Sequence, residues 1–213
     1  MLHSNTFVRF PNWIVVCLGI SVAAAFCYFF VDAKADLLLF ASWMPGDLKA
    51  AIEYISAFGH AMGVIICLLL IFTFDSKFKQ RIKTVLVASV CSGLIVFLIK
   101  MLVHRHRPYL HGTTAMSSHL SNLNLLDSSM QSFPSGHTAT ALSLAVTLTF
   151  FYPHGRNMFF MFAVVTAIQR IATSHHYPSD VLVGAVIGIV TSNVVLIAMK
   201  KYQEVFENQV PCG

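Results

Sequence analysis

Long uncharged apolar runs alternate with short polar connections along this chain, at about 13–31, 54–74, 84–103, 136–152, 157–175 and 180–199. Each run approaches the roughly 20 residues that a helix needs to cross a bilayer. The pattern therefore predicts an all-α polytopic membrane protein with six transmembrane helices. The first run opens on Trp13-Ile14-Val15-Val16 and has the length of a span, longer than the apolar core of a signal peptide. Ala23-Ala24-Ala25 leaves cleavage open as an alternative. Leu37 to Met44 is apolar but too short to cross, and reads as an interfacial or re-entrant piece ending at Pro45-Gly46. The one extended polar connection lies between the third and fourth runs, and its start, rich in His and Arg, points to function. No repeat or linker divides the chain, so residues 1–213 read as a single domain.

Composition agrees with this pattern. Only 11% of residues are charged, against roughly 25% in a soluble domain. A mean hydropathy of +0.71 excludes intrinsic disorder. The formal net charge of +5 then acts on topology, with no nucleic-acid partner implied. Arg9, Lys77, Lys79, Arg81, Lys83, Arg156, Lys200 and Lys201 fall on the face that holds both termini. Asp32, Asp36, Asp47, Glu53, Asp127 and Asp180 fall on the other. Both termini are therefore expected in the cytoplasm, with the 104–135 and 175–180 segments facing outward. Cys17, Cys27, Cys67 and Cys91 lie inside apolar runs and read as small hydrophobes.

Several polar residues stand where a membrane makes them costly. Lys100 ends the third run and, alone, reads as a snorkelling side chain. Arg107-Pro108 follows seven residues later, about two helical turns on, so both cations share a face if the helix persists to Pro108. Arg170 ends the fifth run and calls for compensation, by an anionic ligand or by an internal acid of which Asp180 is nearest in sequence. Pro134-Ser135-Gly136-His137 opens the fourth run as a helix start: Ser135 can cap, Gly136 admits close approach, and the free amides favour an anion. His176 precedes Asp180 by four residues, an arrangement that can orient an imidazole or simply place an acid in a first turn. Together these residues offer three cations, an anion nest and two histidines on one side of the membrane, a set that can bind a phosphate and attack it.

The residues resemble the type 2 phosphatidic acid phosphatase superfamily, which shares its site with vanadium haloperoxidases. Its three motifs correspond to Lys100 through Arg107-Pro108, Pro134-Ser135-Gly136-His137, and Arg170 with His176 and Asp180, a core of residues 100–180. The departure is Gln169 where the family usually has Ser, expected to tune hydrogen bonding. The resemblance implies His176 as nucleophile forming a phosphohistidine, Asp180 orienting it, and His137 as general acid. It further implies that Lys100, Arg107, Arg170, Ser135 and Gly136 hold the phosphate, with no metal and no other cofactor. His175 is off the spacing. His104, His106, His111 and His119 show no zinc-ligand spacing.

The expected function is hydrolysis of a lipid phosphate or diphosphate at the outer face, in a bacterial inner membrane with the site toward the periplasm or exterior. The motifs do not separate phosphatidate, phosphatidylglycerol phosphate, polyprenyl diphosphate and lipid A. The alternatives are a non-enzymatic lipid-binding or transport protein with a vestigial site, a vanadate-loaded haloperoxidase, and a haem carrier, although only His60 lies deep in an apolar run. Gly59 with Gly63, and Gly184 with Gly188, read as helix-packing pairs without a functional role.

Overall fold

The computed structural model describes residues 13–32, 45–75, 78–108 and 131–209. Among these the secondary structure is helical, apart from one isolated bridge between Arg105 and Gln131. Helix α1 covers Trp13–Phe26 and continues through a π-helical turn at Cys27–Val31. α2 covers Gly46–Ser56 with a 3-10 turn at Ala57–Gly59, and α3 covers Ala61–Phe74. α4 is Phe78–Leu102, α5 Gly136–Phe151, α6 Arg156–Ala172 and α7 Pro178–Gln209. The apolar piece at 37–44, His111, His119 and most of the polar connection lie outside the described residues.

Helices thus occupy all six apolar runs, with one difference in form. The run at 54–74 is not a single rod. Gly46–Gly59 and Ala61–Phe74 meet at His60 with a bend of 68°. His60 is extended there (φ −94°, ψ 164°) and starts α3. Gly63 permits the bend, since a Cβ on it would lie 2.4 Å from the Ala57 carbonyl oxygen. Trp13–Val31, Gln80–Leu102 and Pro178–Lys200 are long and apolar enough to cross a membrane, and the bent pair makes a fourth if counted as one span. α5 is apolar but only 16 residues long.

α5 forms the axis of the bundle. From Thr138 to Thr149 every residue except Thr140 is buried, which is what a helix apolar all round requires. Ala141, Leu142, Ala145 and Val146 pack with Cys17, Ala163, Ile189 and Leu196, while Leu144 and Leu148 pack with Val64, Ile71 and Val85. The outer helices turn large apolar side chains outward, among them Val22, Phe29, Leu69 and Leu98. In water that rim would be a liability; in lipid it is the solvated face.

Lipid tails are as apolar as Leu, so apolar burial does little to hold such helices together, and close packing with interhelical hydrogen bonds must do so. α7 meets these terms against α5. A Cβ on Gly184 would lie 2.4 Å from the Ser135 carbonyl oxygen, and one on Gly188 2.3 Å from that of Ala139. Ser192 Oγ donates to Ser143 Oγ at 2.9 Å across the same interface. Any larger side chain at Gly184 pushes α7 off the backbone that leads into His137. At the far end of the bundle, Asp75 accepts from Tyr152 Oη at 2.5 Å and pairs with Arg81, tying the α3–α4 turn to the end of α5.

Candidate active site

The ends of α1, α4 and α6, the starts of α5 and α7, and the break between α2 and α3 all meet at the other pole. Short local turns produce the motif spacings there. After Ala172 the chain turns through Ser174, whose φ of 54° is left-handed, a common way to end a helix. This reversal lets the amides of His175 and His176 both donate to the Arg170 carbonyl at 3.2 Å. The five-residue gap from Arg170 to His176 is the length of that turn. Pro178 then opens α7, a position where its missing N–H costs nothing. The Asp180 carboxylate reaches back to accept from the Tyr177 N–H at 3.0 Å, the return half of a capping box. The three-residue gap from His176 to Asp180 is therefore the geometry of a helix start.

His176 is buried, and its Nδ1 lies 2.6 Å from the Ser132 carbonyl oxygen but 3.8 Å from Asp180 Oδ2. A carbonyl only accepts, so Nδ1 carries the proton and Nε2 keeps the lone pair. The ring lines a cavity of about 250 Å³ together with Lys100, Arg107, Gly136, His137 and His60. Burial above all pushes the His176 imidazole from 6.5 down to about 4, against the opposing pull of Asp180. A histidine with depressed pKa is neutral in the native state wherever pH exceeds that value. The expected result is a 15N-histidine NMR titration, assigned with a His176→Ala spectrum, in which this ring titrates near 4 and not near 6.5. The unfolded chain takes up this proton near 6.5 and the native chain only near 4. Stability is therefore lost progressively as pH falls between these values.

Asp180 is fully buried and accepts from Ser132 Oγ at 2.5 Å and Arg105 Nη1 at 2.5 Å. Ser132 thus joins the two motif residues, carbonyl to His176 and hydroxyl to Asp180. Arg105 donates through Nη2 to Asp32 at 2.8 Å and through Nη1 to Ser179 Oγ at 2.8 Å. Ser179 in turn donates its hydroxyl to Asp32. The guanidinium lies 4.1 Å from the Tyr177 ring centroid, within cation–π range. Burial opposes the charge on Arg105, but Asp180 and Asp32 outweigh it and hold its pKa above the ordinary value.

Of the expected phosphate-holding residues, Lys100, Arg107 and Gly136 line this cavity, while Ser135 and Arg170 are not among its lining residues. α4 stops at Leu102, so Lys100 and Arg107 do not share a helical face. They reach the same cavity because the chain beyond α4 is extended and pinned, with the Ser132 N–H donating to the Arg105 carbonyl at 3.0 Å. The Lys100 ammonium donates to the Gln131 carbonyl. Ser135 stands at the N-cap of α5 but makes no side-chain cap; its hydroxyl accepts from Thr138 Oγ1 at 3.0 Å. Its amide donates to the Asp180 carbonyl at 3.0 Å, joining the starts of α5 and α7. Arg170 is buried, and the acid nearest to it in sequence, Asp180, is paired with Arg105 instead. Arg107 Nε and Arg170 Nε are buried with no hydrogen-bond partner among the described residues. Gln169 is buried with its Oε1 in the same condition. The His175 ring is engaged with Thr173, Nδ1 lying 2.9 Å from its Oγ1.

Four residues at this pole have no part in the phosphatase reading of the sequence: Ser132, Arg105, Asp32 and His60. A carboxylate closing an apolar span was the available signal for Asp32. His137 Nε2 lies 3.1 Å from His60 Nδ1. The cavity thus brings two cations, the start of α5 and the His176 ring around one small volume, a lining suited to an anion.

The chain is similar to known proteins in sequence and in fold. The model of the PAP2 superfamily matches residues 81–204. The lipid A 1-phosphatase of Rhizobium etli is 27% identical over 195 residues, covering 81% of this chain and 79% of its own. Undecaprenyl-diphosphatase BcrC of Bacillus subtilis is 30% identical over 115 residues, 52% of this chain and 55% of its own. The crystal structure of Aquifex aeolicus LpxE superposes with a TM-score of 0.62 at 25% identity, covering 76% of this chain and 93% of that one. A transmembrane PAP2-type phosphatidylglycerolphosphate phosphatase from Bacillus subtilis also gives 0.62, at 19% identity, covering 88% and 94%, a likeness of fold.

Proposed function

The chain belongs to the PAP2 superfamily of membrane lipid phosphatases, and we propose that it hydrolyses a lipid phosphate or diphosphate at an outward-facing site through a phosphohistidine. The observation that carries this reading is the His176 ring, whose Nδ1–H is held by the Ser132 carbonyl so that Nε2 offers its lone pair to a cavity walled by Lys100 and Arg107. Nε2 attacks phosphorus, the bond to the leaving oxygen breaks, and His137 protonates that oxygen as general acid. Lys100, Arg107 and Arg170, with Ser135 and the Gly136 amide, neutralise the charge spread over the transferring group. Water then attacks the phosphohistidine with His137 as base, releasing phosphate. Asp180 positions His176 through Ser132.

No metal enters this scheme. The donor set is cationic, whereas a magnesium cage needs several carboxylates, and among the described residues no three His, Cys, Asp or Glu side chains gather as ligands. In the proposed topology residues 1–213 form one domain of six spans, the α2–α3 pair being a broken one, with both termini in the cytoplasm. Arg81 with Lys77, Lys79 and Lys83, around the α3–α4 turn, supports this orientation.

The test is phosphate release in detergent from lipid A, undecaprenyl diphosphate, phosphatidylglycerol phosphate and phosphatidate, with His176→Ala as blank. Release is expected to be greatest from lipid A, since a lipid A 1-phosphatase is matched over 79% of its own length. Release from none of the four above the blank would refute the assignment.

A further inference from the structure

His60 interrupts the apolar run between α2 and α3, and non-helical backbone at membrane depth is tolerated where it is buried in protein or lines a cavity. Here it lines the cavity that holds His176, Lys100 and Arg107. The segment is fitted onto His137 in particular. Gly59 lies so close to it that a Cβ would stand 2.5 Å from the His137 carbonyl oxygen and 2.7 Å from Thr166 Cγ2. Beside it, Phe58 meets Phe162 edge-on at 5.6 Å. The two imidazoles are 4.0 Å apart between centroids, inclined at 67°, with His60 Nδ1 3.1 Å from His137 Nε2.

We propose that His60 is the proton partner of His137, exchanging a proton with it in each half of the reaction. The inference rests on the phosphatase reading above and adds to it a residue outside the three motifs. With Nε2 of His137 turned to His60, Nδ1 is the nitrogen left to serve the leaving oxygen. When a dianionic phosphate is bound, His60 enters as imidazolium and His137 as the neutral Nδ1–H tautomer. As the bond from phosphorus to oxygen breaks, its electron pair stays with the oxygen, which takes the Nδ1 proton. At the same time His60 passes its Nδ1 proton to His137 Nε2. His137 ends neutral in its other tautomer, and His60 ends neutral. In the second half, water loses a proton to His137 Nδ1 as its oxygen bonds to phosphorus, and the Nε2 proton returns to His60. The relay leaves His137 neutral at the end of each half and carries the positive charge on His60. His60 lines the cavity, so the proton it carries exchanges with the water that enters there to attack.

His60 acts through His137, so its loss should show most where protonation of the leaving group matters most. Two lipid phosphates with the same tail serve as probes, one leaving as an alkoxide and one as a nitrophenoxide. His60→Ala is expected to lose about tenfold more turnover on the alkyl substrate than on the aryl one. His60→Gln keeps a hydrogen-bond donor but cannot carry the proton, and should match His60→Ala. His137→Ala should show the same split, only larger. Equal losses on both substrates in the His60 variants, or full rescue by Gln, would overturn the relay while leaving His137 in place. An absent split in His137→Ala would overturn the general-acid reading beneath it.

Discussion

Replacing His176 with alanine should abolish turnover and the covalent intermediate together. In a rapid acid-free quench with 32P-labelled lipid, the wild type is expected to retain label that is stable to base and released by acid, the signature of a phosphoramidate bond. The variant should retain none. Turnover should fall by at least about 10³-fold, because residues of one catalytic unit are not individually dispensable. The fold should survive. His176 hydrogen-bonds through one ring nitrogen to a carbonyl whose residue keeps its other bond, Ser132 Oγ to Asp180. Label retained by His176→Ala would move the nucleophile elsewhere.

Arg105→Ala should cost more in stability than any other single change at this pole. The side chain pairs with two buried carboxylates, Asp180 at 0% and Asp32 at 3% exposure, while being itself 19% exposed. Removing one member of a buried network leaves its partners charged and desolvated, which costs about 3–5 kcal/mol. For a chain of this size that lowers the unfolding midpoint by on the order of 10 °C, measurable by thermal denaturation in detergent. Activity should fall with it, since Asp180 loses the donor that fixes one of its oxygens. Arg105→Lys should recover part of both losses, because an ammonium restores charge but not the forked geometry that spans two carboxylates. An unchanged midpoint in Arg105→Ala would show that the pairs contribute nothing net.

These two residues also mark what spacing along the chain makes legible and what it leaves out. Arg170, His176 and Asp180 were legible because each gap between them is a single local device, a left-handed helix stop and then a helix start. Pro134 to His137 was legible for the same reason, as a helix beginning. Lys100 and Arg107 were legible as a pair, although the assumed reason, one continuous helical face, differs from the extended segment that brings them together. The Arg105–Asp32 and His60–His137 contacts join residues 73 and 77 positions apart. No spacing encodes such contacts; they depend on how whole helices are set against one another. The bend at His60 was hidden too, because apolar residues continue on both sides of it and a single histidine does not end a run. The glycine pairs are packing devices, as their spacing suggests, and one member of each, Gly59 and Gly184, lies against the backbone of His137 and Ser135.

α1 buries just Cys17 and Ala24 along its first fourteen residues, yet its final carboxylate, Asp32, holds Arg105 and Ser179. Along its flank any apolar residue is as soluble in hydrocarbon as any other, so drift there meets little selection. At the tip, one carboxylate has a fixed place. A helix of this kind is free to diverge almost everywhere while its point of attachment stays put, which is one physical route by which a shared fold outlives most of the identity between relatives.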